Sequence, residues 1–255
     1  MKTIYSILFF LFCSLSLIAQ PKNFSNEIGI AAELAGFVSD YNDFDLDNYS
    51  GNIGFSISIV HFMSFSSIGG DCYSKGKNGF FHNHFKVRNE VSYTRSNLKH
   101  YGNAVDENNT SVLAPQLRGM RGETTILSIG SSIEFYPWSI KRTALLLPHI
   151  GIGVRYNHYN PKVYSTIGIL GDPAITPPRY LNGFNNDSGS AFSIVGNAGM
   201  RIRISAKSDV LAQIKLQYFF SDWIEGLRPD PTLFPENKQN DFIFGGGIGY
   251  IYYLD

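Results

Sequence analysis

Apolar and polar residues alternate with a period of two through residues 188–223, which predicts a β-hairpin. The apolar parity consists of Phe192, Ile194, Ala198, Met200, Ile202 and Ile204, then Val210, Ala212, Ile214, Leu216, Tyr218 and Phe220. The polar parity consists of Ser193, Asn197, Arg201, Arg203, Gln213, Lys215 and Gln217. Residues 206–209 form the predicted turn between the two arms. A helix does not fit, because residues two apart would point in different directions around its axis.

The same alternation recurs in six further segments, so we expect about eight strands. These segments cover roughly 26–37, 53–65, 84–98, 123–138, 144–159 and 241–254. Long polar connections are predicted at 39–52, 99–122, 160–189 and 222–239, and short turns at 139–142 and 206–209. Outer-membrane β-barrels alternate long extracellular loops with short periplasmic turns in this way. The connection 66–81 is longer than that rhythm requires.

The polar parity is rich in small residues, and this bears on the choice between two all-β architectures. In a secreted β-sandwich or a lipocalin-like barrel, this parity would face water and the apolar parity would form the core. The small residues are Gly54, Ser56, Ser58, Gly130, Ser132, Gly151, Gly153, Gly245 and Gly247. They suit a narrow concave interior, whereas a solvated face normally carries more Lys and Glu. The sequence therefore favours an all-β fold, a closed antiparallel up-and-down transmembrane β-barrel of about eight strands with a lumen filled by side chains.

Charged residues on the polar parity are expected to line that lumen. They are Glu33, Lys86, Arg88, Glu90, Glu134, Arg155, Arg201, Arg203 and Lys215. The apolar parity avoids such residues, as lipid requires, since Arg or Lys at the bilayer midplane costs about 2–4 kcal/mol. We predict a structural plug in which the three glutamates pair with Arg155, Arg201, Arg203 and Lys215.

The N-terminus has the features of a secretory signal peptide. Lys2 precedes an almost wholly apolar stretch from Ile4 to Ile18, and small residues follow near Ala19. We expect residues 1–20 to be removed on export and residues 21–255 to form a single barrel domain in the bacterial outer membrane. Cys13 would leave with the signal peptide, so Cys72 could not form an intramolecular disulfide.

Composition and motifs point away from several functional classes. The formal net charge is zero, so there is no electrostatic case for nucleic-acid binding. Asp43, Asp45 and Asp47 resemble the start of a calcium loop but lack its glycine and its closing glutamate. His82 and His84 could share a metal, yet the sequence offers no third ligand. No nucleophile motif stands out, so we expect no enzymatic activity, no catalytic or metal-binding residue and no cofactor.

Two stretches of the C-terminal half carry a family resemblance. Tyr218-Phe-Phe-Ser-Asp-Trp-Ile-Glu-Gly226 precedes a Pro-rich loop, and Asn240-Asp-Phe242 opens a Gly-rich last strand. Together with Leu147-Pro-His-Ile-Gly-Ile-Gly153, this pattern resembles PorG and its relatives, small outer-membrane barrels associated with type IX secretion. The resemblance covers predicted strands four to eight, and it departs from the family at Ser221, usually Thr, and at Gly226, usually acidic. It implies a non-enzymatic membrane anchor that engages the periplasmic ring of a secretion machine.

Two functional hypotheses follow, at opposite ends of the barrel. If the anchor role holds, the long connection 66–81 is the candidate partner-binding segment for periplasmic ring proteins. Its candidate residues are Gly69, Gly70, Asp71, Cys72, Tyr73 and Lys75. The alternative is a cell-surface binding or adhesion barrel that acts through the long loops 99–122, 160–189 and 222–239. Outer-membrane lipid is an expected partner under both hypotheses.

Overall fold

A computed structural model shows a closed antiparallel barrel of eight strands, which confirms the predicted fold class. It describes residues 25–41, 52–64, 80–140, 145–230, 233 and 240–254. The strands are β1 (Ser25–Val38), β2 (Ile53–Ser64), β3 (Phe85–Lys99), β4 (Met120–Phe135), β5 (Leu146–Ser165), β6 (Gly189–Ser205), β7 (Ser208–Phe219) and β8 (Phe242–Tyr253). Each strand pairs with the next in sequence, and β8 pairs with β1 to close the barrel.

Short helices occupy parts of the connections. These are α1 (Phe80–His84), α2 (Leu113–Gly119) and 3-10 turns at Asn103–Val105 and Pro178–Tyr180. Two predicted boundaries were wrong: β5 continues to Ser165, and β7 begins at Ser208, which leaves only Ala206 and Lys207 between β6 and β7. No helix in the described ranges is both long enough and apolar enough to cross a membrane.

The two parities of each strand face opposite environments, and the apolar parity points outward. Ile30 and Ile248 are 61% and 68% exposed, whereas Glu90 and Arg201 of the polar parity are 5% and 1% exposed. An exposed aliphatic surface around a closed barrel matches lipid, because closure leaves no backbone edge unpaired in the bilayer. The chain is therefore an outer-membrane β-barrel.

The connections define the two ends of the barrel. The β1–β2, β3–β4, β5–β6 and β7–β8 connections are long and share one end, called here the outer end. The two-residue turn between β6 and β7 lies at the other, periplasmic end, together with the start of β1 and the end of β8. This assignment follows the rule that extracellular loops are long and periplasmic turns short.

Candidate functional site

A buried ion-pair cluster fills the periplasmic part of the lumen. Glu27 on β1 accepts hydrogen bonds from Lys86 on β3 and Arg201 on β6. Arg201 also lies 3.8 Å from a carboxylate oxygen of Asp209, and the Tyr253 hydroxyl donates to Asp209 at 2.6 Å. Four of these side chains come from separate strands, β1, β3, β6 and β7, so the cluster ties opposite walls of the barrel together.

A second cluster centres on Arg88, which is fully buried. Its guanidinium lies 2.6 Å from Glu90 and 3.3 Å from Glu134, and it donates to the Gln213 side-chain oxygen at 2.6 Å. The Tyr136 hydroxyl donates to the other oxygen of Glu134 at 2.7 Å. Arg88 therefore has two carboxylates and a neutral acceptor, which offset the large cost of burying its charge.

A third cluster continues toward the outer end from Glu90. Arg155 lies 2.7 Å from Glu90, and the Lys215 ammonium lies 2.8 Å from both Glu90 and Glu33. A cavity beside Glu33 measures about 20 Å³, which is room for about one water molecule. The described part of the lumen is thus packed with paired side chains.

The nine predicted lumen residues all face inward, but the structure pairs some of them differently from our hypothesis. Arg201 and Arg203 do not contact Glu33, Glu90 or Glu134; Arg201 pairs with Glu27 and Asp209, and Arg203 lies 3.5 Å from Asp209. Sequence reasoning missed two carboxylates. Asp209 was assigned to a turn, and Glu27 lay on the polar parity of the first predicted strand without being included.

A folded cap closes the outer end of the barrel. Its central part, residues 223–228 of the β7–β8 connection, lies across the barrel mouth and is called here the cap segment. Ile224 and Leu227 are fully buried within the hydrophobic cluster of the outer end. The Thr124 hydroxyl of β4 donates to the Ile224 carbonyl at 2.6 Å, and Leu227 forms a β-bridge with Phe184 of the β5–β6 connection.

A glycine allows the cap segment to turn into the mouth. Gly226 has φ +84°, a conformation that side chains other than glycine rarely adopt. A Cβ there would lie 2.7 Å from the Asn185 carbonyl oxygen. Gly226, where the resembled family is usually acidic, therefore has a conformational explanation here.

Buried carboxyl groups hold the cap segment to neighbouring elements. Glu225 accepts the Asp40 amide at 2.9 Å, and Asp241 accepts the Ile224 amide at 3.1 Å. Burial raises the pKa of Glu225 well above its usual range, as does the nearby Asp241. Burial also raises the pKa of Asp241, and that of Asp222 rises to about 8 through burial and the charges of Asp241 and Asp40.

A cleft of about 280 Å³ opens between the outer loops. Its walls include Asp40, His100, Tyr101, Ala104, Leu113, Leu117, Pro177, Pro178, Arg179 and Tyr180. Burial lowers the pKa of His100 to about 3, and the charges of Arg179 and Arg121 lower it further, so this imidazole is neutral at pH 7. Its Nε2 atom is shielded from solvent and has no hydrogen-bond partner among the described residues. The cleft thus combines apolar walls with a few polar groups, as small-molecule sites do.

Other predicted sites lie outside the described residues or remain without support. The partner-binding candidates Gly69, Gly70, Asp71, Cys72, Tyr73 and Lys75 lie outside the described residues, as do Asp43, Asp45 and Asp47 and the predicted signal peptide at 1–20. His82 and His84 lie on α1. No group of three or more His, Cys, Asp or Glu in the described ranges is placed to hold a metal ion.

Comparison with known proteins yields structural neighbours only. No family model matches the chain, and no curated protein matches it. The solved structures that resemble it include Ail, the attachment invasion locus protein of Yersinia pestis, at 13% identity, covering 91% of this chain and 99% of that chain with a TM-score of 0.44. Neisserial surface protein A matches at 14% identity, covering 89% and 96% of the two chains, with a TM-score of 0.44. OprG from Pseudomonas aeruginosa matches at 11% identity, covering 91% and 95%, with a TM-score of 0.40. The resemblance to PorG stays a prediction.

Proposed function

We propose that this protein is a non-enzymatic, non-conducting outer-membrane scaffold that binds a partner at the cell surface through its outer cap. The observation that carries the proposal is the contrast between the two parts of the molecule. Paired buried charges fill the lumen, while the loops above it fold together around a cleft of about 280 Å³. A filled barrel of this size is a scaffold, and loops on a rigid scaffold are where binding sites concentrate.

The chemistry of the cleft supports recognition. Leu113, Leu117 and Pro178 provide apolar contact area, while the neutral His100 offers a hydrogen-bond acceptor. Arg179 lies 3.8 Å from Asp40, so the charges in the cleft are balanced. Such a site favours a ligand group with an apolar face and a hydrogen-bond donor over a strongly charged group.

Filling the cleft should abolish surface binding without unfolding the barrel. The change is Ala104→Trp, which places an indole among the cleft walls, and the matched control is Lys207→Gln in the periplasmic turn. Fluorescent vesicles carrying each full-length variant would be applied to arrays of extracellular-matrix proteins and glycans. We expect the tryptophan variant to lose about tenfold or more of the wild-type signal, since a contact worth 1.4 kcal/mol is tenfold in affinity. Wild-type vesicles that bind nothing above empty vesicles would refute the proposal.

A second candidate function is the anchor role in secretion, and one observation favours it. Helix α1 follows residues 66–79 at the periplasmic end, and its Phe80 and Phe81 are 63% and 42% exposed. Exposed aromatic side chains are common at protein–protein contacts. They would give a periplasmic partner an apolar anchor beside the predicted binding segment.

Deleting residues 66–79 tests the anchor role directly. If the barrel engages a secretion ring, the deletion should abolish co-purification of ring proteins and reduce secretion, while heat-modifiable mobility shows that the barrel still folds. The control replaces the same residues with a Gly/Ser linker of equal length, which keeps the spacing but removes the side chains. Unchanged co-purification in both variants would end this idea.

A further inference from the structure

Charged residues on the lipid-facing side of the barrel are confined to one sector of its outer end. They are Arg95 and Lys99 on β3, Arg121 and Glu123 on β4, and Lys162 on β5. The outward-facing positions of the other five described strands carry no Lys, Arg, Asp or Glu. Since the whole chain has a formal net charge of zero, this sector is a local excess of positive charge.

Strand register brings these cations together across three neighbouring strands. Lys99 lies opposite Arg121 in the β3–β4 ladder, and Glu123 lies opposite Lys162 in the β4–β5 ladder. Neighbouring strands are about 4.8 Å apart, so the group forms one compact surface. We call Arg95, Lys99, Arg121 and Lys162 the basic patch.

The patch has too few carboxylates to neutralise it. Glu123 is the acidic residue within it, and it is paired with Arg95 at 2.8 Å. Lys162 makes no ion pair with any other described residue, while the Arg121 guanidinium donates to the carbonyls of Arg118 and Met120 at 2.6 and 2.8 Å. Like charges directly opposite each other in a ladder are destabilising, so the Lys99–Arg121 pair calls for an external anion.

The height of the patch on the barrel indicates where that anion lies. Along β3, Arg95 follows the exposed Val91 and Tyr93 of the lipid-facing surface after a single inward residue, Thr94. Along β4, Glu123 and Arg121 lie outward of the exposed Leu127 and Ile129. Tyrosine marks the membrane interface in β-barrels, so the patch begins at the level of the outer-leaflet headgroups.

We propose that the basic patch binds the phosphate groups of an anionic glycolipid in the outer leaflet. Arginine matches phosphate geometry with two parallel hydrogen bonds, and lysine adds point charges beside it. Each basic residue near an anionic membrane surface contributes about 1 kcal/mol of attraction. The lipid would sit against one side of the barrel, with its acyl chains along β3, β4 and β5.

The test measures retention of a bis-phosphorylated lipid A by the full-length barrel. The protein is reconstituted in phosphatidylcholine vesicles containing lipid A and extracted in mild detergent, and the bound lipid is counted by native mass spectrometry. We expect Lys99→Gln/Arg121→Gln/Lys162→Gln to reduce retention by about tenfold or more, given the attraction per cation. Lys207→Gln, at the periplasmic turn, should retain lipid A as the wild type does.

Further arms separate this proposal from its competitors. Because Arg121 also supports the backbone before β4, Lys99→Gln/Lys162→Gln serves as a second variant and should lose several-fold in retention. Glu123→Gln removes the competing carboxylate and should increase retention. Folded variants that keep lipid A fully would overturn the proposal. Equal retention of phosphatidylglycerol at matched charge, or displacement by millimolar inorganic phosphate, would likewise overturn the assignment to a membrane glycolipid.

Discussion

Replacing Glu90 with glutamine is expected to lower the free energy of unfolding by about 3–5 kcal/mol. Glu90 is 5% exposed and lies between Arg88, Arg155 and Lys215, at 2.6, 2.7 and 2.8 Å. Glutamine has nearly the same shape, so the packing persists while three buried cations lose a shared negative charge. Breaking a buried ion network by removing one partner is costly because the remaining charges stay desolvated and uncompensated.

A matched surface pair separates burial from charge loss. Glu123 and Arg95 form an ion pair at 2.8 Å, but their side chains are 26% and 49% exposed. Glu123→Gln should therefore change the free energy of unfolding by about 1 kcal/mol or less. Urea-induced unfolding of the two variants in phosphatidylcholine vesicles, followed by tryptophan fluorescence, gives both values. Similar values for the two variants would show that the lumen charges do not form the stabilising plug described here.

Raising the pH from about 6 to about 9 is expected to loosen the cap segment while the barrel stays folded, because the pKa of Asp222 is raised to about 8 and those of Glu225 and Asp241 are also raised. A carboxyl group with a raised pKa favours the folded cap while it is protonated. That contribution is complete below the usual carboxyl pKa and is lost as the pH rises through the raised value. Ionisation would place several negative charges in one poorly solvated site.

The surroundings of these carboxyl groups offer little compensation. The titratable and charged groups that face them are Asp40, Tyr41, Tyr164, Arg179, Tyr180 and Arg228. Arg179 is 3.8 Å from Asp40, and Arg228 lowers the pKa of Asp222 only in part. A tyrosine next to a carboxylate adds negative charge if it ionises, so it gives no relief.

Hydrogen exchange measures this loosening residue by residue. The Ile224 amide donates to Asp241 and the Asp40 amide donates to Glu225, so both should lose about tenfold or more of their protection between pH 6 and 9, after correction for intrinsic exchange. Glu225→Gln keeps an acceptor for Asp40 but removes one titrating group, and it should flatten the response. Amides of β3 and β4 serve as the internal control. Protection of Ile224 that is constant over this range would contradict the prediction.

Local alternation was a sufficient guide to the barrel. A period of two places successive side chains on opposite faces, so parity alone predicted that Ile214 faces outward and Lys215 inward. Loop lengths supplied the orientation in the same way. The errors fell at strand ends, where Asp209 was assigned to a turn although the backbone pairs through Ser208.

The pairing of charges could not be predicted in the same way. Glu27 and Arg201 are 174 residues apart, and which cation reaches which carboxylate depends on the stagger of the strands around the closed barrel. Two arginines on one parity look alike in sequence. In the structure, Arg201 is fully buried against Glu27, and Arg203 lies near the periplasmic end beside Tyr253.

The sequence by itself determined the all-β class, the number of strands and the side on which each strand residue lies, because these depend on a local period. Only the tertiary structure decided how the molecule is closed. Asp40 meets Glu225 across 185 residues, and the motif around Trp223 becomes a cap over the mouth. The basic patch likewise exists only because three strands lie side by side in a fixed register. Such contacts join distant segments, and their geometry is set by barrel closure, which no local pattern encodes.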